Sequence, residues 1–305
     1  MTVLPWRAVA ALLFNATIFG TVWWPFRHID ALGLHSLYAT SLAYLLVLIG
    51  LLLWRWSALP AFVRHPGLWL LALAAGLTNA AFNWGVVVGD VIRVVLLFYL
   101  MPVWAALLGR WLLGEVITAG TAIRIAIALT GAALVLHEPG TGLPVPHGLG
   151  DWLGLAGGFW FAMTNILLKR HVATQTEARM MAMFLGGALI PGALALALTN
   201  ASLIAAPAWP PTWWLATLGL GVLMVVANLC LQYGAGRLPA NITAVIMISE
   251  VLFAALSAVW LGAGQMTGQI IAGGLLILVA SLAAAHAASL EQRRSRRAAV
   301  SPRSA

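Results

Sequence analysis

Of the eight acidic residues in the chain, only Glu250 falls deep inside a long apolar run. A carboxylate at that depth costs about 3 kcal/mol or more unless it faces protein or water, or takes up a proton. It could balance a substrate ammonium or carry a coupling proton; the plainer use is a packing carboxyl bonded to a neighbouring helix. Amides accompany it. Asn79 and Asn83 stand one helical turn apart and share a face. Asn228 and Gln232 repeat that spacing, and Asn15 and Asn165 hold nearly equivalent places in the two halves of the chain. An amide in hydrocarbon needs a partner, so these faces turn inward. There they bond the polar end of a small molecule or fasten helices together.

Three aromatic residues, Tyr99, Trp104 and Trp160, sit near the middles of apolar runs. Trp160 and Thr164 share a helical face, and Tyr99 lies a turn before Pro102, whose missing N–H should bend its helix. These rings read either as a wall for an apolar or aromatic side chain or as filler facing lipid. With Trp84, the candidate substrate-binding set is Asn79, Asn83, Trp84, Tyr99, Trp104, Trp160, Thr164, Asn165, Asn228 and Glu250.

Other chemistries lack their residues. The seven histidines show no metal-ligand spacing, Cys230 is the single cysteine, and no nucleophile-elbow, phosphate-loop or dinucleotide motif occurs. No metal and no cofactor is called for, and energy would have to come from gradients. A membrane-embedded enzyme would need more clustered polar groups than one deep glutamate. Much of the net charge of +8 comes from five tail arginines, Arg293, Arg294, Arg296, Arg297 and Arg303. That reads as a topology signal and an anionic-lipid contact, and not as a nucleic-acid surface.

The elements that must position these residues follow from composition. The chain is 62% hydrophobic and 8% charged, against roughly 25% charged in a soluble domain. Lipid is the solvent that fits. Cutting at charges, prolines and loop residues predicts ten spans, near 7–24, 34–54, 67–85, 91–113, 119–136, 151–168, 179–199, 212–233, 240–262 and 268–287. The first lacks a small-residue cleavage site and reads as a retained span.

With the N-terminus in the cytoplasm, the inner ends and loops hold Arg7, Arg55, Arg64, Arg110, Arg124, Lys169, Arg170, Arg179, Arg237 and the tail. Only Arg27 and Arg93 fall outside, which supports an even count with both termini inside. Most of the 15 tryptophans fall at span ends, as an interfacial belt does, whereas Trp104 and Trp160 do not.

The halves resemble each other at an offset of 149 residues: Trp84-Gly85 with Tyr233-Gly234, Val103 to Leu107 with Leu252 to Leu256, Trp111-Leu112 with Trp260-Leu261, and Thr118 with Thr267. Five spans per copy is odd, so the second copy enters the bilayer from the opposite side. Inverted repeats of this kind recur in secondary transporters. The expected fold is therefore an all-α integral membrane protein of ten transmembrane helices, two inverted five-helix repeats with both termini cytoplasmic. Its parts are repeat 1–137, a Pro/Gly-rich linker 138–150, repeat 151–287 and a basic tail 288–305.

The stretches Leu100 to Gly109 with Gly114-Glu115, and Leu238 to Ala240 with Ser249 to Leu256, resemble the duplicated EamA domain. They are similar to the ten-helix branch of the drug/metabolite transporter superfamily. Within it the run Phe98 to Trp104 is most like the aromatic amino acid exporters. Val251 stands where the family's second-half Glu is followed by Pro, and Ala263-Gly264 replaces the second Gly-Glu. The resemblance implies ATP-independent export of amino acids and related metabolites by alternating access, with a small molecule and the bacterial inner membrane as partners. Oligomeric state is left open, a monomer sufficing. A multidrug or lipophilic-cation exporter is the alternative. Phosphorylated substrates would need Lys or Arg along the path, and only Arg93 and Arg124 approach span interiors, both toward ends.

Overall fold

The computed structural model describes residues 6–55, 59–137, 145–171, 173–238 and 240–300. Along them run α1 (Trp6–Thr21), α2 (Trp23–Ala31), α3 (Ser36–Arg55), α4 (Leu59–Arg64), α5 (Pro66–Val88), α6 (Val91–Phe98) and α7 (Met101–Leu113). They are followed by α8 (Ala119–Leu136), α9 (Leu149–Arg170), α10 (Thr176–Asn200), α11 (Trp214–Ala235), α12 (Ala240–Trp260) and α13 (Gly268–Val300). No strand occurs among the described residues.

Among the described residues, eight helical stretches are long and apolar enough to cross a membrane: Trp6–Ala31, Ser36–Leu53, Pro66–Val88, Val91–Leu113, Ala119–Leu136, Thr176–Asn200, Trp214–Ala235 and Gly268–Ala287. The chain is a multi-pass membrane protein. The sixth expected span is α9, which carries Asp151, Lys169 and Arg170 near its ends. The ninth is α12, with a described apolar part of Val245–Trp260. Two boundaries differ from expectation. Helix continues past residue 24 to Ala31, and α13 continues past 287 to Val300. Of the expected linker, 138–144 lie outside the described residues, as do 301–305 of the tail.

Proline explains where two spans break. A helical proline leaves the carbonyl four residues earlier without its donor. Thr21 precedes Pro25 by four and ends α1; Phe98 precedes Pro102 by four and ends α6. The Phe98 carbonyl then lies 2.6 Å from where a Cβ on Gly158 would sit, so α9 must carry glycine there. Val251 occupies the place of Pro102 in the second half, and α12 runs unbroken. The expected bend in span four is present, and its counterpart is absent for the reason visible in that one substitution.

Spans four and nine end alike. Gly114 follows α7 with φ +69° and Gly262 follows α12 with φ +67°, the left-handed region that only glycine enters cheaply. Gly262 does one residue earlier what the missing second Gly-Glu would have done. Next, Thr118 caps α8 by accepting from the Thr121 N–H at 3.2 Å, and Thr267 accepts from the Ile270 N–H at 3.2 Å to start α13.

Packing follows small residues, as expected where lipid removes the hydrophobic drive between helices. α1 lies against α11 and α12; α9 lies against α5, α6 and α7. α3 meets α10 and α11, α10 also meets α5, and α8 pairs with α13. Gly131 and Gly273 face each other's carbonyls, each 2.6 Å from the other's would-be Cβ, at the α8–α13 crossing. Gly20 likewise meets the Glu250 carbonyl at 2.6 Å where α1 crosses α12. Exchanging spans one to five with six to ten turns most of these neighbours into one another. The Pro66–Val88 and Val91–Leu113 spans are 61% and 56% buried, whereas Ala119–Leu136 and Gly268–Ala287 are 28% and 33% buried. α5, α6 and α7 are therefore central and the α8–α13 pair is peripheral.

The two ends of the bundle are fixed by polar contacts. The Gln265 N–H donates to Asp90 Oδ2 at 3.0 Å, so the loop before α13 sits at the start of the Val91–Leu113 span. Glu115 and Thr118, before α8, sit at that span's far end.

Candidate functional site

Glu250 lies on α12 about 200° around the helix from Leu252, and Val245, Leu252, Leu256 and Val259 form the exposed apolar face. Glu250 is half-buried, with α1 close against its backbone at Gly20 and Tyr99 of the α6–α7 break within electrostatic reach. Its partial exposure is thus to space inside the bundle and not to the apolar face. Among the described residues no hydrogen bond or ion pair to its carboxylate is found. The packing-carboxyl reading gains no partner from these residues.

The amides divide. Asn79 Oδ1 accepts from the Tyr44 hydroxyl at 2.6 Å and its Nδ2 donates to the Ala75 carbonyl at 2.8 Å. Asn83 Nδ2 donates to Thr40 Oγ1 at 3.1 Å, and Asn83 is buried. This i, i+4 amide pair on α5 mates with the i, i+4 pair Thr40 and Tyr44 on α3. Both asparagines join helices. Trp84, one residue on, packs with Leu37, Ala80 and Ala195 and meets the His35 ring edge-on at 5.3 Å. Burial holds the His35 imidazole below its usual range despite the opposing pull of Asp30, and its Nδ1 accepts from the Leu37 N–H at 3.2 Å.

Asn15 is fully buried and donates to the Ala227 carbonyl of α11 at 2.7 Å, while its Oδ1 has no partner among the described residues. Asn228 follows Ala227 and is half-buried and engaged. Asn165 is exposed; at the matched offset it is Thr164 that stands in for Asn15, buried and donating to the Trp160 carbonyl at 2.9 Å. Asn165 is therefore not drawn in with the other amides. The Gln232 side chain lies outside the described ones.

The aromatic residues fall into two groups, each assembled by phenylalanines outside the candidate set. Trp104 meets Phe159 edge-on at 5.6 Å, and Phe159 meets Trp160 at 5.1 Å. Phe98 is surrounded by Phe82 at 4.7 Å, Phe161 at 5.3 Å and Tyr99 at 6.1 Å. The run Phe159-Trp160-Phe161 was the available signal. Tyr99 is buried and its carbonyl accepts from Ser281 at 3.2 Å. The Trp104 indole N–H is buried without a partner among the described residues. A buried unpaired donor is costly, and here it marks a place where an acceptor would be welcome.

Charges gather at the two ends. Arg93 pairs with Asp151 at 2.7 Å, with both side chains mostly buried, and Arg27 donates to the Val86 and Gly89 carbonyls at 2.9 and 2.6 Å. At the other end the Lys169 ammonium pairs with Glu115. A cavity of about 440 Å³ lies between α7, α8 and α13, lined in part by Pro102, Glu115 and Arg124. None of the ten candidate residues lines it.

The fold and the interior define a multi-pass helical membrane protein with a deep carboxyl that has no partner among the described residues and two groups of rings beside a broken helix. Residues 6–137 match the EamA-like transporter family. No curated protein matches the chain. A crystal structure of a protein 18% identical covers 94% of this chain and 98% of its own, with a TM-score of 0.54. That likeness establishes a shared fold and nothing about activity.

Proposed function

We propose that the chain is a secondary transporter that exports amino acids, aromatic and other apolar ones foremost, and related metabolites from the cytoplasm by alternating access. The match of residues 6–137 to the EamA-like transporter family carries this reading. The sequence resemblance to the aromatic amino acid exporter YddG supplies the substrate class. The chain works as ten spans in two inverted five-helix repeats, 1–137 and 151–287, in a bacterial inner membrane with both termini cytoplasmic. The exchangeable helix neighbours support that division, as do the matched glycine stops and threonine caps.

In this reading Glu250 receives the substrate ammonium or a coupling proton, Trp104 Nε1 offers a donor, and Tyr99, Trp104 and Trp160 form the aromatic wall. Thr164 and Asn228 complete the path, with the exposed Asn165 standing outside it, and Asn79, Asn83 and Trp84 brace its side. A lipophilic-cation exporter would use the same carboxyl and rings. Labelled phenylalanine and a lipophilic cation, each loaded into proteoliposomes with and without a pH gradient, separate the two. The account expects protein-dependent phenylalanine efflux; efflux of the cation alone would transfer the assignment to the second class.

A further inference from the structure

The cavity between α7, α8 and α13 belongs to none of the functions above, and it has two chemistries. Its mouth carries Glu115, Thr118, Thr121 and Arg124, while the remainder is apolar and rich in alanine, with Ala106, Ala128 and Ala284 of the three helices beside Val103 and Ile125. Small side chains on three adjacent helices leave a groove where larger ones would interlock. Two of those helices, α8 and α13, are among the least buried of the described spans, 28% and 33% against 61% for Pro66–Val88, which sets the groove at the periphery of the bundle.

The mouth favours an anion. Glu115 is already matched by Lys169. Arg124 has only the Thr121 hydroxyl, at 2.9 Å, as a partner among the described residues. A guanidinium more than a turn into an apolar helix needs an anion or water. α8 starts at this mouth and turns its positive end toward it. The chain after Ala287 also carries arginines at 293, 294, 296 and 297. Anionic charge at the rim and an alkyl chain below it describe one kind of molecule.

We propose that this groove holds an anionic phospholipid, its phosphate against Arg124 and the hydroxyls of Thr118 and Thr121, with one acyl chain along the alanine floor. The site is independent of which solute the protein moves. It rests on the membrane setting and on this cavity alone.

Native mass spectrometry of the purified full-length protein, titrated with phosphatidylglycerol or phosphatidylcholine, tests it. The wild type should retain phosphatidylglycerol about fivefold better than phosphatidylcholine. Arg124→Gln should erase that preference, and Ala284→Trp should lower phosphatidylglycerol retention without altering charge. Glycerol 1-phosphate should displace nothing, because it lacks the chain. Equal retention of the two lipids by the wild type would overturn the proposal, as would an undiminished preference in Arg124→Gln or displacement by glycerol 1-phosphate.

Discussion

At the scale of single residues, the account turns on which polar atoms the bundle has already used. Asn79 and Asn83 are taken up by Tyr44 and Thr40, while neither Glu250 nor Trp104 Nε1 has a partner among the described residues. Glu250→Gln keeps the shape and removes the charge. A charge-assisted hydrogen bond is worth about 1.5–3 kcal/mol, so amino acid efflux should fall at least about tenfold at unchanged expression. An unchanged rate and pH profile would remove Glu250 from the mechanism. Trp160→Ala should shift export away from aromatic toward smaller apolar substrates, read as relative efflux of phenylalanine and alanine. An identical profile would dismiss the aromatic wall. Glu250 was legible because a lone acid in an apolar run is conspicuous. The fates of the amides were not, because spacing gives the face of a helix but not what stands opposite it.

At the scale of elements, the kink of span four was legible from Pro102, and the straightness of α12 from Val251. The close crossings were not, since a glycine in an apolar run looks the same whether it touches a neighbour or faces lipid. Gly158 and Gly219 make the contrast. A Cβ on Gly158 would meet the Phe98 carbonyl, whereas one on Gly219 would meet nothing within 4 Å. Gly158→Val should therefore cost about 1–3 kcal/mol by overpacking, and Gly219→Ala should stay within about 0.5 kcal/mol. Thermal unfolding of the two variants in detergent reads the difference. Equal midpoints would mean that α6 and α9 do not cross as closely as described. The rule that set Phe98 as the end of α6 also set Thr21 as the end of α1, so the helix breaks near the middle and the outer end of the bundle have one cause.

At the scale of the whole molecule, composition made the membrane setting plain and the offset of 149 residues suggested duplication. Pairing of the spans was beyond reach, because apolar faces match one another without discrimination and only contact geometry chooses among them. The contacts place the loop before α8 and the loop before α13 at opposite ends of the Val91–Leu113 span, although the loops are equivalent in the repeat. Both Val116 and Gln265, related by the same offset, are exposed in these loops. The direct measurement is labelling of Val116→Cys and Gln265→Cys, each in a Cys230→Ala background, with a membrane-impermeant maleimide. The account predicts that Gln265→Cys reacts in intact cells and Val116→Cys only after the membrane is opened; reaction of both from the same side would contradict it.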